Sequence, residues 1–218
     1  MRPAMSRAFL FWAVTIVSRP TISPAMGIVL AIDTVAPRLQ LALLRADGSV
    51  DTSIDEIVQG QAELIFPRID ALLARNGVTY ADLTRIAVTT GPGSFTGLRI
   101  GLSAARGLGV ARNVPVIGVP SLLAISLSQP GPVAVLLDAR RGEAWFQLFP
   151  DDPEPQVLPV DAARARIPEG VPVIESPFPD IALVARYAET APAGAPPEAT
   201  YVRDADAKPQ EKFRVARQ

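Results

Sequence analysis

Ile86-Ala87-Val88-Thr89-Thr90-Gly91-Pro92-Gly93-Ser94-Phe95-Thr96-Gly97-Leu98-Arg99-Ile100-Gly101 is the stretch on which the fold turns. A short apolar run rich in β-branched residues ends in a glycine-rich turn, and a helical pattern follows without a gap. The strand is expected over 86–90 and the helix over about 96–112, with Ser94 or Thr96 as its N-cap. Upstream, 28–32 is apolar throughout, as in a buried strand. Leu39, Leu41 and Leu43 alternate with Arg38, Gln40 and Ala42, the pattern of a half-buried strand. Asp47-Gly48 signals a hairpin into a third strand near 50–58. Leu64, Ile65, Ile69, Leu72 and Leu73 share a stripe on a helix over 61–76, with Gly77 at its C-terminal cap. A further strand is expected over 114–119. Two hairpin strands followed by βα units predict a mixed α/β layer fold.

Beyond Pro120 the texture changes. Strands are expected over 133–138 and 144–149, joined by Ala139-Arg140-Arg141-Gly142. Twelve of the 22 prolines lie between Pro150 and Pro209, which leaves room only for short elements. One helix is expected near 181–189, and 191–197 reads as a linker. The first 25 residues differ from the rest: Arg2 and Arg7 precede an apolar run over 8–17, too short to span a bilayer. That outline fits a secretory signal, but the simpler reading is a start placed upstream of Met26 as true initiator. The expected division is therefore an extraneous extension (1–25), an N-terminal lobe (26–120), a smaller C-terminal lobe (121–209) and a tail (210–218).

Composition narrows the chemistry. The 218 residues hold 21 Lys+Arg and 22 Asp+Glu, a net charge of −1, which gives no footprint for holding nucleic acid unaided. Cysteine and histidine are both absent, which excludes disulfides, thiolate catalysis, Ser-His-Asp triads and imidazole acid–base pairs.

Several residues could still carry function. Backbone N–H groups at a helix start such as Gly93, Ser94 and Thr96 can hold an anion, or the turn can simply be a capped strand-to-helix junction. It is neither a Walker loop nor a nucleophile elbow, and no histidine exists to activate Ser94. Asp33-Thr34, closing the first strand, could hold a hydrated magnesium ion near phosphates or cap a turn. Asp138-Ala139-Arg140-Arg141-Gly142-Glu143 is a charged turn that reads first as a salt-bridged hairpin. Gly97, Gly101, Ala104, Ala105 and Leu108 form a small-residue row that suits close packing, against a partner or against the chain's own sheet. Pro67 should bend the preceding helix near Glu63, shaping a second face with Ala62 and Phe66.

The segments Leu30-Ala31-Ile32-Asp33-Thr34, Gly91 to Gly101 and Asp138 to Glu143, with Tyr201-Val202-Arg203 and Asp206-Ala207-Lys208-Pro209, resemble the TsaB (formerly YeaZ) family of bacterial tRNA threonylcarbamoyladenosine biosynthesis proteins. The resemblance runs in order over about residues 27–209. It implies the actin-like ATPase (ribonuclease H-like) fold, two lobes of mixed β-sheet flanked by helices, here with a reduced second lobe. It implies a non-catalytic role: a cytoplasmic scaffold that binds and activates the larger paralogue TsaD, with the ATPase TsaE joining the pair. TsaD forms threonylcarbamoyladenosine in tRNAs that read A-starting codons, so tRNA is met through the complex. No cofactor of the chain's own is implied; ATP and magnesium belong at the complex interface. The paralogue holds its metal through histidines, which this chain lacks, and no two glycines are adjacent anywhere, so the kinase-like adenosine loop is missing. The partner interface implied is the first two helices, with Ala62, Phe66, Gly97, Gly101, Ala104, Ala105 and Leu108; nucleotide contacts, if any, fall to Asp33, Thr34, Gly93, Ser94 and Thr96. The chain departs from the family at Gln61, where histidine is usual, and in short stretches after Val119 and Phe149.

The expectations compete with others. A scaffold predicts that Gly101→Trp or Ala105→Arg abolishes pairing and spares the fold. The alternative is an independent small enzyme, kinase-like through Asp33 or a peptidase through Ser94, the latter lacking a base. A third reading is a homodimer through the same helices when the paralogue is absent, because an exposed small-residue face invites self-pairing. Nothing points to a membrane.

Overall fold

The computed structural model describes residues 27–200. The expectations for 1–26, for the 201–209 motif and for the 210–218 tail lie outside the described residues.

Strand β1 (Val29–Asp33) is central, because its side chains are apolar on both faces and helices cover both. It pairs antiparallel with β2 (Arg38–Leu44), which pairs antiparallel with β3 (Val50–Glu56). On its other side β1 pairs parallel with β4 (Arg85–Thr89), and β4 with β5 (Val116–Val119), giving the order β3-β2-β1-β4-β5. Leu30 and Ile32 point to one face with Leu39, Leu41 and Leu43. Helices α1 (Gln61–Arg75) and α2 (Phe95–Arg112) close that face with Ile65, Ile69, Leu72, Leu102 and Ala105. Val29, Ala31, Ala42 and Leu44 point the other way and meet Ile181, Val184, Ala185 and Ala188 of α5 (Ile181–Thr190).

Three expectations need correction. β2 is buried on both faces rather than half-buried, because α5 covers the side of Ala42 and Leu44 that the alternation assigned to solvent. α5 lies within the span expected for the second lobe but packs on the first sheet. The 191–197 segment is no free linker: Arg85 donates to the Ala188 and Ala191 carbonyls, Pro197 is buried against Gly118, and Thr200 N–H donates to Thr90.

A second sheet, in the order β8-β7-β6-β9, joins β6 (Val133–Arg140), β7 (Glu143–Phe149), β8 (Gln156–Pro159) and β9 (Val173–Ile174). The short helix α4 (Val160–Ala165) covers one face through Ala163. Helix α3 (Ser121–Ser126) sits between the sheets: Ala124 packs toward the first, Leu122 and Ile125 toward the second. Pro67 is accommodated inside α1, and the helix ends in a Schellman motif: Gly77 at φ 64 lets Val78 N–H reach Leu73.

Candidate functional site

The glycine-rich turn connects β4 to α2, as the sequence reading expects, and Ser94 is the cap: its Oγ accepts from Gly97 N–H at 3.2 Å. This turn is clamped against the loop that follows β1. Ser94 N–H donates to the Val35 carbonyl at 2.7 Å, and Thr34 Oγ1 donates to the Gly97 carbonyl at 2.7 Å. A Cβ on Gly97 would overlap the Thr34 carbonyl oxygen, and one on Gly101 would come 2.5 Å from Thr34 Oγ1. Glycine is thus required because another piece of this chain lies against α2.

That geometry settles which way the small-residue row faces. Gly97, Gly101 and Ala105 point at β1, β4 and Thr34, so they serve the chain's own sheet and offer nothing to a partner. Gly101→Trp or Ala105→Arg would therefore disrupt the core and cannot spare the fold. Leu108 is partly buried against the same core. Ala104 faces sideways, and here the two expected helix faces do meet. A groove of about 520 Å³ lies between α1 and α2, lined by Ala62, Ile65, Phe66, Phe95, Ile100 and Ala104. Thr96, Arg99 and Ser103 complete its wall. Phe66 and Phe95 remain 45% and 51% exposed, although each is a large apolar side chain. The Arg99 guanidinium stacks 3.8 Å above the Phe95 ring at the rim. Gln61, beside the groove, is buried, and its amide donates to the Ile57 carbonyl at 3.4 Å.

The residues expected to contact an anion separate. Asp33 is fully buried: Oδ1 accepts from Thr89 Oγ1 at 2.5 Å and Val35 N–H at 3.3 Å, and Oδ2 from Gln40 Nε2 at 2.9 Å. Burial pushes its carboxyl above the ordinary range, against the opposing pull of those bonds. Asp33 and Thr34 therefore tie β1 to β2, β4 and α2, and are not free to meet a ligand. Thr96 faces the α1–α2 groove. Gly93 and Ser94 do line a second opening, a cleft of about 510 Å³ between the two sheets. The charged hairpin lies across it: Asp138 Oδ1 accepts from Arg140 N–H at 2.7 Å in a bulged turn, and Asp138 and Arg140 reach the cleft wall. Trp145 and Ser121 also line it, and the sequence reading singled out neither. A tryptophan in the pocket-facing position of a strand was the one signal available for it.

Residues 57–149, from just before α1 to the end of β7, match the family of TsaD, tRNA N6-adenosine threonylcarbamoyltransferase. An uncharacterized Mycobacterium tuberculosis protein, Rv3421c, is 33% identical over 198 residues, covering 83% of this chain and 94% of that one. The tRNA threonylcarbamoyladenosine biosynthesis protein TsaB of Escherichia coli is 33% identical over 129 residues, 57% of this chain and 55% of its own. The TsaB protein of Bacillus subtilis is 33% identical over 124 residues, 54% of its length. The chain thus matches about half the length of these TsaB relatives. Among solved structures, YeaZ from Pseudomonas aeruginosa superposes with a TM-score of 0.64 at 25% identity, covering 75% of this chain and 91% of that one.

Proposed function

This chain belongs to the TsaB (YeaZ) family and has the actin-like ATPase fold, and we propose that it serves tRNA threonylcarbamoyladenosine biosynthesis as a non-catalytic subunit that pairs with the threonylcarbamoyltransferase TsaD. The observation that carries the pairing is the α1–α2 groove, with Phe66 and Phe95 left half exposed at its mouth. Exposed apolar surface of this kind marks a docking face. The transferase-like stretch begins just before α1 and includes both helices, so a transferase would present equivalent helices. Two related chains can then meet through the same elements about a pseudo-two-fold axis, as identical subunits do in an isologous dimer.

A supporting rather than catalytic role is favoured by how the polar groups near the glycine-rich turn are used. Asp33 is held by Thr89, Gln40 and Val35, and the Ser94 hydroxyl caps α2, so neither is free to activate a substrate. The ATPase TsaE would join the pair, and ATP and magnesium would be held by the assembled complex. A tRNA-modifying role places the protein in the cytoplasm; among the described residues no helix is long and apolar enough to cross a membrane. Without the transferase, the same groove favours self-pairing.

The test is size-exclusion chromatography with light scattering, on the chain alone and mixed with the transferase of the same genome. Co-elution at the summed mass is expected. Phe66→Asp should weaken pairing by about 2 kcal/mol, roughly 30-fold, while leaving the thermal melt unchanged because the side chain is half exposed. Separate elution, or unaltered pairing in Phe66→Asp, would overturn the reading.

A further inference from the structure

The end of α1 carries a site of covalent change whose chemistry is independent of the pairing reading. Asn76-Gly77 joins a carboxamide to the one residue type without a side chain. In such a pair nothing obstructs the glycine nitrogen from approaching the carboxamide carbon, and glycine lets the backbone turn to bring them together. Asparagine is thermolabile for this reason above all. The chain has one other asparagine, Asn113, at the end of α2, where the β-branched Val114 stands in place of a glycine.

Three hydrogen bonds hold the reacting atoms of Asn76 and Gly77 apart. Asn76 Nδ2, the leaving group, donates to Asp51 Oδ2 at 2.7 Å and to the Leu72 carbonyl at 2.8 Å. The Gly77 N–H, whose nitrogen is the nucleophile, donates to the Ala74 carbonyl at 3.1 Å. With Asn76 at φ −98 and ψ 2 and Gly77 at φ 64, the backbone is fixed in the Schellman turn that ends the helix. Two of the three acceptors belong to α1 itself. The third, Asp51, reaches across from the edge strand β3, where Arg75 also binds it at 2.7 and 2.9 Å. Asn76 is half-buried and Gly77 exposed, so water reaches the pair as soon as that last turn opens.

We propose that Asn76-Gly77 is a deamidation site which Asp51 holds shut in the folded chain, and that its conversion to a carboxylate unfastens α1 from β3. In the opened turn the Gly77 nitrogen attacks Asn76 Cγ. The new C–N bond closes a cyclic imide, the Cγ–Nδ2 bond breaks, and Nδ2 leaves as ammonia with the proton that Gly77 gives up. Water then opens the ring at either carbonyl, leaving aspartate or isoaspartate at position 76. One water is consumed and one ammonia released, with no oxidant or cofactor. The product sets a carboxylate where a donor faced Asp51, and two ionised carboxylates, both acceptors only, repel instead of bonding. It also puts negative charge at the negative end of the helix. The helix so loosened is the one that lines the pairing groove through Ala62, Ile65 and Phe66.

The test is peptide mass spectrometry of the full-length chain after incubation in mildly alkaline buffer, folded and in concentrated urea, following the gain of about 1 Da at each asparagine. Conversion of Asn76 should run at least about 10-fold faster in urea than in the folded chain, because the folded rate is scaled by the small fraction of open turns. Asn113 should lag far behind it in urea. In the folded chain Asp51→Ala should speed conversion of Asn76 about 3-fold or more. Asp55→Ala, which removes the neighbouring tie between the same two elements, should leave the rate unchanged. Asn76→Asp, the product itself, should melt below Asn76→Ser at neutral pH, and the gap should narrow when Asp51→Ala is added to both. Equal rates folded and in urea, or equal rates at the two asparagines in urea, would overturn the proposal. So would an Asp51→Ala rate no faster than that of the parent or of Asp55→Ala, or a gap between the melts that is absent or indifferent to Asp51.

Discussion

Gly97 and Gly107 stand in the same helix, ten positions apart, and physics asks different things of them. The first lies under the Thr34 carbonyl, backbone against backbone, so a methyl group has no side chain to push aside. Gly97→Ala should cost about 3 kcal/mol or more, because the β1 loop and α2 must separate. Gly107 is exposed with nothing within 4 Å of a built Cβ. There the same change should stabilise by about 0.5–1 kcal/mol, through helix propensity alone. Urea denaturation of the two variants measures both signs. Sequence reading placed both residues on a helix and marked Gly97 and Gly101 as close-packing positions. It could not tell which surface they meet, because spacing fixes a face of a helix but not what lies opposite. Ser121 was missed for a related reason: a lone serine carries no pattern, and only the fold shows that its hydroxyl has no partner.

At the scale of elements, α1 is held to the edge strand β3 by two arginine–carboxylate pairs in addition to its apolar stripe. Arg68 binds Asp55 through two nitrogens at 2.6–3.0 Å, and Arg75 binds Asp51 at 2.7 and 2.9 Å. The bond from Arg75, with help from Asn76, lowers the Asp51 carboxyl from 3.8 to about 2. Between those values the unfolded chain binds the proton more readily, so the pair's contribution is complete above pH 3.8 and is lost as pH falls through about 2. Asp51→Asn should therefore be less stable than the parent at neutral pH, by under about 1 kcal/mol for so exposed a pair, and the difference should close between pH 4 and 2. Fluorescence-monitored denaturation across that range checks it. The elements found correctly from sequence, β1 to β7, α1, α2 and α5, are those with a run of apolar residues or a clear apolar period, apart from β3, which the Asp47-Gly48 turn announces. α3, α4, β8 and β9 escaped because none exceeds 6 residues and prolines interrupt the pattern around them. The groove between α1 and α2 was legible in part: Ala62, Phe66 and Ala104 were assigned to the pairing face, whereas Phe95 and Ile100 depend on how the two helices lie side by side.

For the molecule as a whole, the return of α5 to the first sheet makes the two lobes one folding unit. The chain leaves that sheet at Val119, builds the second, and comes back to bury Ile181, Val184, Ala185 and Ala188 against β1, β2 and β4. α3 adds a second tie, since its residues pack toward both sheets. Val184→Asp places a charge in that buried layer and should cost more than about 3 kcal/mol. Both lobes should still melt together, with circular dichroism and Trp145 fluorescence (in the Trp12→Phe background) giving one coincident transition. Two separated transitions would show the lobes to be independent. Sequence could not reveal this tie: the amphipathic pattern of 181–189 identifies a helix, but the intervening prolines suggested that it stayed with the lobe in which it was encoded.

The same late return has a consequence for synthesis on the ribosome. About 60 residues separate the end of β5 from the start of α5, and at roughly 5–20 residues per second they take about 3–12 s to be made. Throughout that interval the face of the first sheet carrying Val29, Ala31, Ala42 and Leu44 lacks the cover that α5 provides, with only α3 packing toward it through Leu123 and Ala124. The nascent chain thus presents an apolar surface for seconds, long enough to meet holdase chaperones before its last helix emerges to seal it.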